Sequence, residues 1–213
     1  MPSVPGLRTL ALPLGFGAGF ALGAALGAAL ARTRAAQVAA TPVPWWLGDV
    51  DPLTGLVTRR VFEDRLQNAI ARRLRSAAPL TLLLVDLDRF AQVNGAHGHD
   101  VGDVVLRAVA DRLKGCVRTE DTVARLSADV FAVLVDDPGA APVTVLGERV
   151  RAAAGLPVEV GSGTVVGIGA SVAAVVSDGA HDAEALLTEA EGRIFDIKRS
   201  GGGRLELVVV PFG

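Results

Sequence analysis

Along the chain the apolar positions change period several times, and each change marks an element. Residues 9–31 carry no charge at all, and a run of that length can cross the hydrocarbon core of a bilayer as a helix, which takes ~20 residues. Beyond residue 50 the pattern turns amphipathic. Phe62, Leu66, Ile70 and Leu74 recur every four residues, the spacing of one helix face, so a helix is expected over 59–75. The uninterrupted apolar run 80–85 suits a strand buried on both sides. Val105, Val109 and Leu113 mark a second helix after Gly102. Residues 122–125 and 130–135 read as two short strands around a tight connection. A helix over 145–154, a strand over 163–176, a helix marked by Leu187, Ala190, Ile194 and Ile197, and a closing strand over 205–210 complete the series. Strands mixed with crossover helices predict an α/β sandwich on one sheet, without internal repeats.

The flanks of the first segment bear on its role. Arg8 bounds one end, and Arg32 and Arg34 the other. A secretory signal peptide also begins basic and turns apolar, but its apolar core is usually ~7–15 residues, so the length favours a transmembrane helix. Small residues near Ala31 leave cleavage open as the alternative. Two arginines after the span, against one before it, weakly favour the C-terminal part inside, a bias that the free N-terminal amine nearly cancels. Gly15, Gly19, Gly23 and Gly27 follow one another at a spacing of four. On a helix they form a ridge without side chains, a face on which a second copy can approach closely as a homodimer. Pro42 and Pro44 interrupt any helix leaving the membrane, and Trp45 and Trp46 follow. The expected organisation is a short N-terminal segment (1–8), a transmembrane helix (9–31), a linker (32–50) and one domain (51–213).

Composition changes this picture little. Hydrophobic residues make up 50% of the 213, with a mean hydropathy of +0.42, and the excess sits largely in the first segment. A net charge of −2 gives no bulk argument for a nucleic-acid partner. The single cysteine, Cys116, excludes an internal disulfide, fits a reducing compartment and reads as a small apolar helix residue. His97 and His181 have no metal-site spacing and read as surface loop residues.

Candidate chemistry lies at the end of the central strand. Asp86 and Asp88 close an apolar run at alternate positions, so both point to one face, where carboxylates can hold a hard cation such as Mg2+. Residues 94–103 follow, with Asn94, Gly95, Gly98, Gly102 and Asp103. The glycines permit a tight loop and close ligand approach. The Asn94 amide with the Asp103 carboxylate can read the edge of a purine. A plain helix entry, with its acids near the positive end of the dipole, accounts for the same residues.

The order of the pieces is more specific than any one of them. Asp51-Pro52-Leu53-Thr54-Gly55-Leu56 precedes Arg59-Arg60. Then come Asp86-Leu87-Asp88-Arg89-Phe90, the 94–103 stretch, Arg118-Thr119-Glu120-Asp121 and Arg125. This series resembles the GGDEF family over residues 51–210. The resemblance implies a palm-like nucleotidyl-cyclase fold with a central, mostly antiparallel sheet. It also implies an activity that condenses two GTP molecules into cyclic di-GMP across two facing domains. It further implies roles for single residues. Asp86 and the Leu87 carbonyl match metal-binding positions. Asn94 and Asp103 match guanine-reading positions, His99 a position close to the nucleotide, and Lys198 a triphosphate contact. Gly201-Gly202-Gly203 displaces Arg204 from the spacing of the arginine that usually accompanies that lysine. Asp129 matches the acid in the third place of the family signature, tied to metal binding and to activation of the attacking hydroxyl. Arg118 and Asp121 match the RxxD pair of the inhibitory site for cyclic di-GMP, and Arg149 a further arginine of that site. Arginine suits it because a guanidinium binds phosphate and guanine acceptors with paired hydrogen bonds.

The signature itself departs from the family. It reads Ser127-Ala128-Asp129-Val130-Phe131, where the family has Gly-Gly, two acids and an aromatic. Ser127 and Ala128 restore Cβ atoms, which should reduce backbone freedom and close approach to a nucleotide. Val130 removes a carboxylate, and losing one preorganised electrostatic group typically costs ~10²–10³ in rate. Ala91 stands where the family commonly has lysine, and Thr58 where it commonly has asparagine. The expectation is a catalytically degenerate domain with a vestigial Asp129, needing Mg2+ only if its GTP site works. It would act at the bacterial inner (cytoplasmic) membrane, with the domain in the cytoplasm, as a cyclic di-GMP sensor or interaction module. An active cyclase and a purely structural interaction domain are the alternatives. Phe90 and Phe131 read as core rather than as stacking platforms.

Overall fold

The apolar run at 80–85 is the middle of a longer strand, β2 (Leu80–Asp88), and the rest of the fold is arranged around it. In the computed structural model, residues 48–76, 79–135, 142–161, 163–177 and 181–210 are described. The expected transmembrane helix, its glycine ridge and most of the linker lie outside them. Among the described residues no helix is long and apolar enough to cross a membrane.

The elements run β1 (Val57–Thr58), α1 (Arg59–Ser76), β2, α2 (Phe90–His97), α3 (His99–Cys116), β3 (Thr122–Arg125), β4 (Val130–Val135), α4 (Val143–Ala154), β5 (Val158–Glu159), β6 (Val165–Val166), β7 (Gly169–Ser177), α5 (Ala183–Arg199) and β8 (Leu205–Val210). The main sheet has the order β1-β3-β4-β2-β7-β8. Its centre is antiparallel, β3 on β4, β4 on β2 and β2 on β7. Its two edge pairings, β1 with β3 and β7 with β8, are parallel. The sheet is therefore mixed. Strands β5 and β6 form a separate small hairpin.

Alternation along β2 divides the core. Leu83, Val85 and Leu87 pack with α2, α3 and α4 on one face. Leu80, Leu82 and Leu84 pack with Phe62 and Leu66 of α1 and Leu186 and Ile197 of α5 on the other. Every second side chain of a strand points to the same face, so both faces must be apolar for β2 to be covered twice. Phe131 and Phe90 are buried, as expected of core residues, and so is Cys116.

Two local readings change. The 94–103 stretch is not a loop. It forms the end of α2 and the start of α3, joined at Gly98 with φ 86° and ψ 163°, a conformation open essentially to glycine. His97 accordingly ends a helix. The expected strand at 163–176 is broken into β6 and β7. Gly161 and Gly163 both take positive φ, and Thr164 N–H donates to the Gly161 carbonyl at 2.9 Å, which turns the chain so that β6 pairs back on β5; after residues 167–168 the chain joins the main sheet as β7, paired with β2.

Candidate nucleotide and cation sites

Asp86 and Asp88 sit on the same face of β2, the face covered by α1 and α5. The last turn of α5 brings Lys198 over them. Its Nζ lies 2.8 Å from Asp86 Oδ1 and 3.0 Å from Asp88 Oδ1, and donates to the Leu87 carbonyl at 3.0 Å. Burial alone would pull the Lys198 ammonium down. The two carboxylates outweigh it and hold the ammonium above its ordinary value. Burial pushes the Asp86 carboxyl up; Lys198 opposes this, and the charges of Asp129 and Asp88 add to it. Three residues of one strand end thus direct oxygens at a single positive charge.

That arrangement bears on Mg2+. Among the described residues no group of three or more histidine, cysteine, aspartate or glutamate side chains is placed to hold a metal ion. The oxygens at the end of β2 nonetheless fit a hard cation of the kind that takes one or two carboxylates and shares the rest of its shell with phosphates. Asp86 and the Leu87 carbonyl would hold it, with Lys198 moving onto the phosphates.

Asp88, read from the sequence with Asp86 as a candidate cation-holding carboxylate, is the more firmly held of the two. Ser171 Oγ donates to its Oδ1 at 2.7 Å, and Gly203 N–H to its Oδ2 at 2.9 Å. A Cβ on Gly169 would stand 2.7 Å from its Oδ2, and one on Gly202 2.9 Å from its Oδ1. The displaced Gly201-Gly202-Gly203 turn therefore wraps this carboxylate. No local signal marks Ser171, because it reaches Asp88 across the β2–β7 pairing.

The signature hairpin joins β3 to β4. Its Asp129 carbonyl accepts from Leu87 N–H at 3.2 Å, which holds the hairpin against the end of β2. In the β2–β4 register Val130 lies directly opposite Asp86, and it packs against the apolar cluster on that face. Directly opposed residues have Cβ atoms ~4.5–5.5 Å apart, so the missing carboxylate is missing beside Asp86. Among the described residues the only non-glycine residue with positive φ is Arg89, so Ser127 and Ala128 enter this hairpin without backbone strain.

A buried arginine fixes the hairpin's shape. Arg125 Nη1 is 3.0 Å from Asp51 Oδ2, with both side chains almost fully buried. Its Nε donates to the Ser127 and Ala128 carbonyls at 3.2 Å, and its Nη2 to the Ala128 carbonyl at 2.7 Å. Burial by itself would push the Asp51 carboxyl up. Hydrogen bonds from Thr54 and Arg125, the Arg125 charge and the Leu53 amide outweigh it and hold it below the ordinary carboxylate range. Both residues belong to the motif series, yet their pairing was not foreseen. The available signal was a lone arginine in an apolar strand, which demands a buried partner.

The guanine-reading pair lies on the other helical layer. Asn94 is on α2 and Asp103 on α3, both half-buried. Asn94 Oδ1 is buried without a hydrogen-bond partner. A Cβ on Gly102 would fall 1.9 Å from that oxygen, so the amide occupies space that only glycine leaves. His99, the first residue of α3, is exposed. No hydrogen bond or ion pair links these three to Asp86 or Lys198 among the described residues.

The RxxD pair forms a closed turn after α3. Arg118 N–H donates to Asp121 Oδ2 at 2.9 Å, and Asp121 N–H to the Arg118 carbonyl at 3.2 Å. The Arg118 guanidinium is exposed, 4.0 Å from Glu120. Arg118 and Asp121 line a cleft of about 280 Å3 between this turn and the 55–57 segment. Arg149, on α4, does not line it. It donates to the Cys116 carbonyl at 2.6 Å, two residues before Arg118.

A mixed sheet carrying paired acids at its central strand end, a hairpin against them and an arginine turn behind the next helix defines a nucleotidyl-cyclase-type domain. The family model described as diguanylate cyclase, GGDEF domain, matches residues 48–204, and the chain belongs to that family. It is 35% identical over 158 residues to the diguanylate cyclase DgcP of Pseudomonas aeruginosa, covering 74% of this chain and 23% of that protein. It is likewise 35% identical over 161 residues to the response regulator PleD of Caulobacter vibrioides, covering 73% and 35%. The chain thus spans only about a quarter to a third of these relatives. Among solved structures, the GGDEF domain of YfiN (TpbB) from Pseudomonas aeruginosa superposes with a TM-score of 0.70 at 32% identity, over 74% of this chain and 93% of that one. The GGDEF domain of DgcB from Caulobacter crescentus, in complex with c-di-GMP, has a TM-score of 0.70 at 23% identity, over 75% and 92%, a likeness of fold alone.

Proposed function

We propose that this protein is a membrane-anchored, catalytically degenerate GGDEF protein of cyclic di-GMP signalling, which binds cyclic di-GMP at Arg118, Asp121 and Arg149 and passes that state on as a sensor or interaction module. The observation that carries the reading is the register pair of Asp86 and Val130. Phosphoryl transfer rests on positioning and on offsetting the charge of the triphosphate. An isopropyl group stands where a second carboxylate would face the metal. The preformed RxxD turn supports ligand binding in place of turnover, since its backbone is already closed and its guanidinium faces solvent.

When bound, Mg2+ would supply positive charge for the triphosphate. This chain's own part would be to hold the cation at Asp86 and the Leu87 carbonyl, to set Lys198 on phosphate, and to orient guanine between Asn94 and Asp103. The anchor at 9–31 would keep the domain at the inner face of the bacterial cytoplasmic membrane, with the ridge of Gly15, Gly19, Gly23 and Gly27 pairing two copies.

The test uses the full chain in nanodiscs, incubated with GTP and Mg2+, with cyclic di-GMP formation and cyclic di-GMP binding both measured. The reading requires negligible synthesis together with binding that Arg118→Ala weakens at least ~tenfold, the loss of one charge-assisted contact. Robust synthesis abolished by Asp86→Ala would establish an active cyclase instead.

A further inference from the structure

The cleft beside the RxxD turn holds more positive charge than that motif accounts for. Besides Arg118 and Asp121 it is lined by Arg65 of α1 and Lys114 of the last turn of α3, over a floor that includes Leu56, Val57 and Val117. Three cationic heads and one carboxylate therefore surround an apolar floor. We propose that Arg65 and Lys114 form a second phosphate-holding pair in this cleft, so that a guanine dinucleotide bound through one phosphodiester at Arg118 is gripped through its other phosphodiester by these two residues. The proposal rests on the reading of Arg118 and Asp121 given above.

The donors support it. Arg65 Nη1 donates to Thr122 Oγ1 at 3.1 Å and has no carboxylate partner among the described residues. A guanidinium has five N–H donors in a planar fork, so most of its capacity faces the cleft or solvent. Lys114 Nζ donates to the Thr54 carbonyl at 3.2 Å and lies 3.5 Å from Asp111, which is itself largely exposed. An ammonium has three donors. Gly55, at φ +65°, forms the turn that lies beside this ammonium. Favourable placement at the negative end of α3 explains why a lysine is tolerated at position 114. It does not explain why Arg65, from a different helix, faces the same cleft. The acid that offsets these charges, Asp121, already accepts from the Arg118 backbone. Among the described residues Lys114 and Arg118 have only exposed carboxylates, Asp111 and Glu120, as ion partners, pairs that a doubly charged cyclic dinucleotide can replace at small cost, and the apolar floor suits the face of a purine.

The test is calorimetric titration of the full chain in nanodiscs with cyclic di-GMP, at low and physiological salt. The double variant Arg65→Ala with Lys114→Ala should bind about tenfold more weakly and show a shallower salt dependence, because exposed charge attraction is what salt screens. Lys114→Arg should retain both affinity and salt dependence, which a purely structural role for the lysine at the Thr54 carbonyl would not require. Unchanged affinity and salt dependence in the double variant, with binding still lost in Arg118→Ala, overturns this inference and leaves the Arg118 reading standing. Absence of binding by the wild-type chain, or binding indifferent to Arg118→Ala, overturns both. Thermal melting of each variant separates lost contacts from lost fold, and both side chains are exposed.

Discussion

Val130 sets an apolar side chain opposite Asp86 without disturbing the hairpin. It packs with its cluster and pairs in register opposite Asp86, so the hairpin is intact while no carboxylate stands at that position. Val130→Glu should therefore raise the Mg2+ dependence of GTP binding, and with Ser127→Gly and Ala128→Gly should recover part of the ~10²–10³ in rate that such a group supplies. Equal GTP affinity with and without Mg2+ in the glutamate variant would count against the placement. Gly102 makes the opposite case. Gly102→Ala puts a Cβ 1.9 Å from Asn94 Oδ1, so the amide must leave. We expect loss of guanine-nucleotide binding and about 1–3 kcal/mol of destabilisation, read by titration and denaturant melts. At this scale the sequence was most legible: Asp86, Leu87 and Lys198, each singled out from the sequence, meet at one point. Asp88 and Ser171 were not legible as a pair, because a hydrogen bond between strands leaves no spacing in either.

At the level of elements, the Asp51–Arg125 pair ties the 51–56 segment to the signature hairpin. Removing one member of a buried pair leaves the other charge uncompensated, so Asp51→Ala should cost about 3–5 kcal/mol in unfolding free energy. The pH dependence has a definite sign. Asp51 is held below its ordinary value in the fold, so its contribution is complete above the unfolded carboxyl value of about 3.9 and is lost as pH falls through the folded one. Acid melts of the wild type should steepen below about pH 4 relative to Asp51→Asn. Parallel curves would mean that the pair is not coupled to folding. The helices at 59–75 and 145–154 and most strands were readable from period alone. The 94–103 and 163–176 stretches were not, since glycine permits both a loop and a helix joint, and only packing of Phe90 and Val93 against the core decides for helix.

For the molecule as a whole, the uncharged run at 9–31 is expected to hold the chain in the membrane uncleaved. Protease treatment of sealed inverted vesicles should then digest the domain, whereas a processed product starting near Arg32 would replace the anchor with a leader. Gly19→Leu with Gly23→Leu should weaken self-association in a membrane reporter assay, since bulk on the ridge separates the backbones.

The sequence by itself determined the family, through the resemblance of its ordered motifs, and also most of the elements, the two-faced burial of β2 and the identity of the acids at its end. The last three follow from period and from side-chain type, which are local properties. Tertiary structure alone decided which charges meet. The register of β2 with β4 set Val130 against Asp86, α5 carried Lys198 to the end of β2, and α1 delivered Arg65 to the cleft of Arg118. Those encounters join residues far apart in the chain, and an interaction between side chains is fixed only when the backbone that carries each of them has been folded into place.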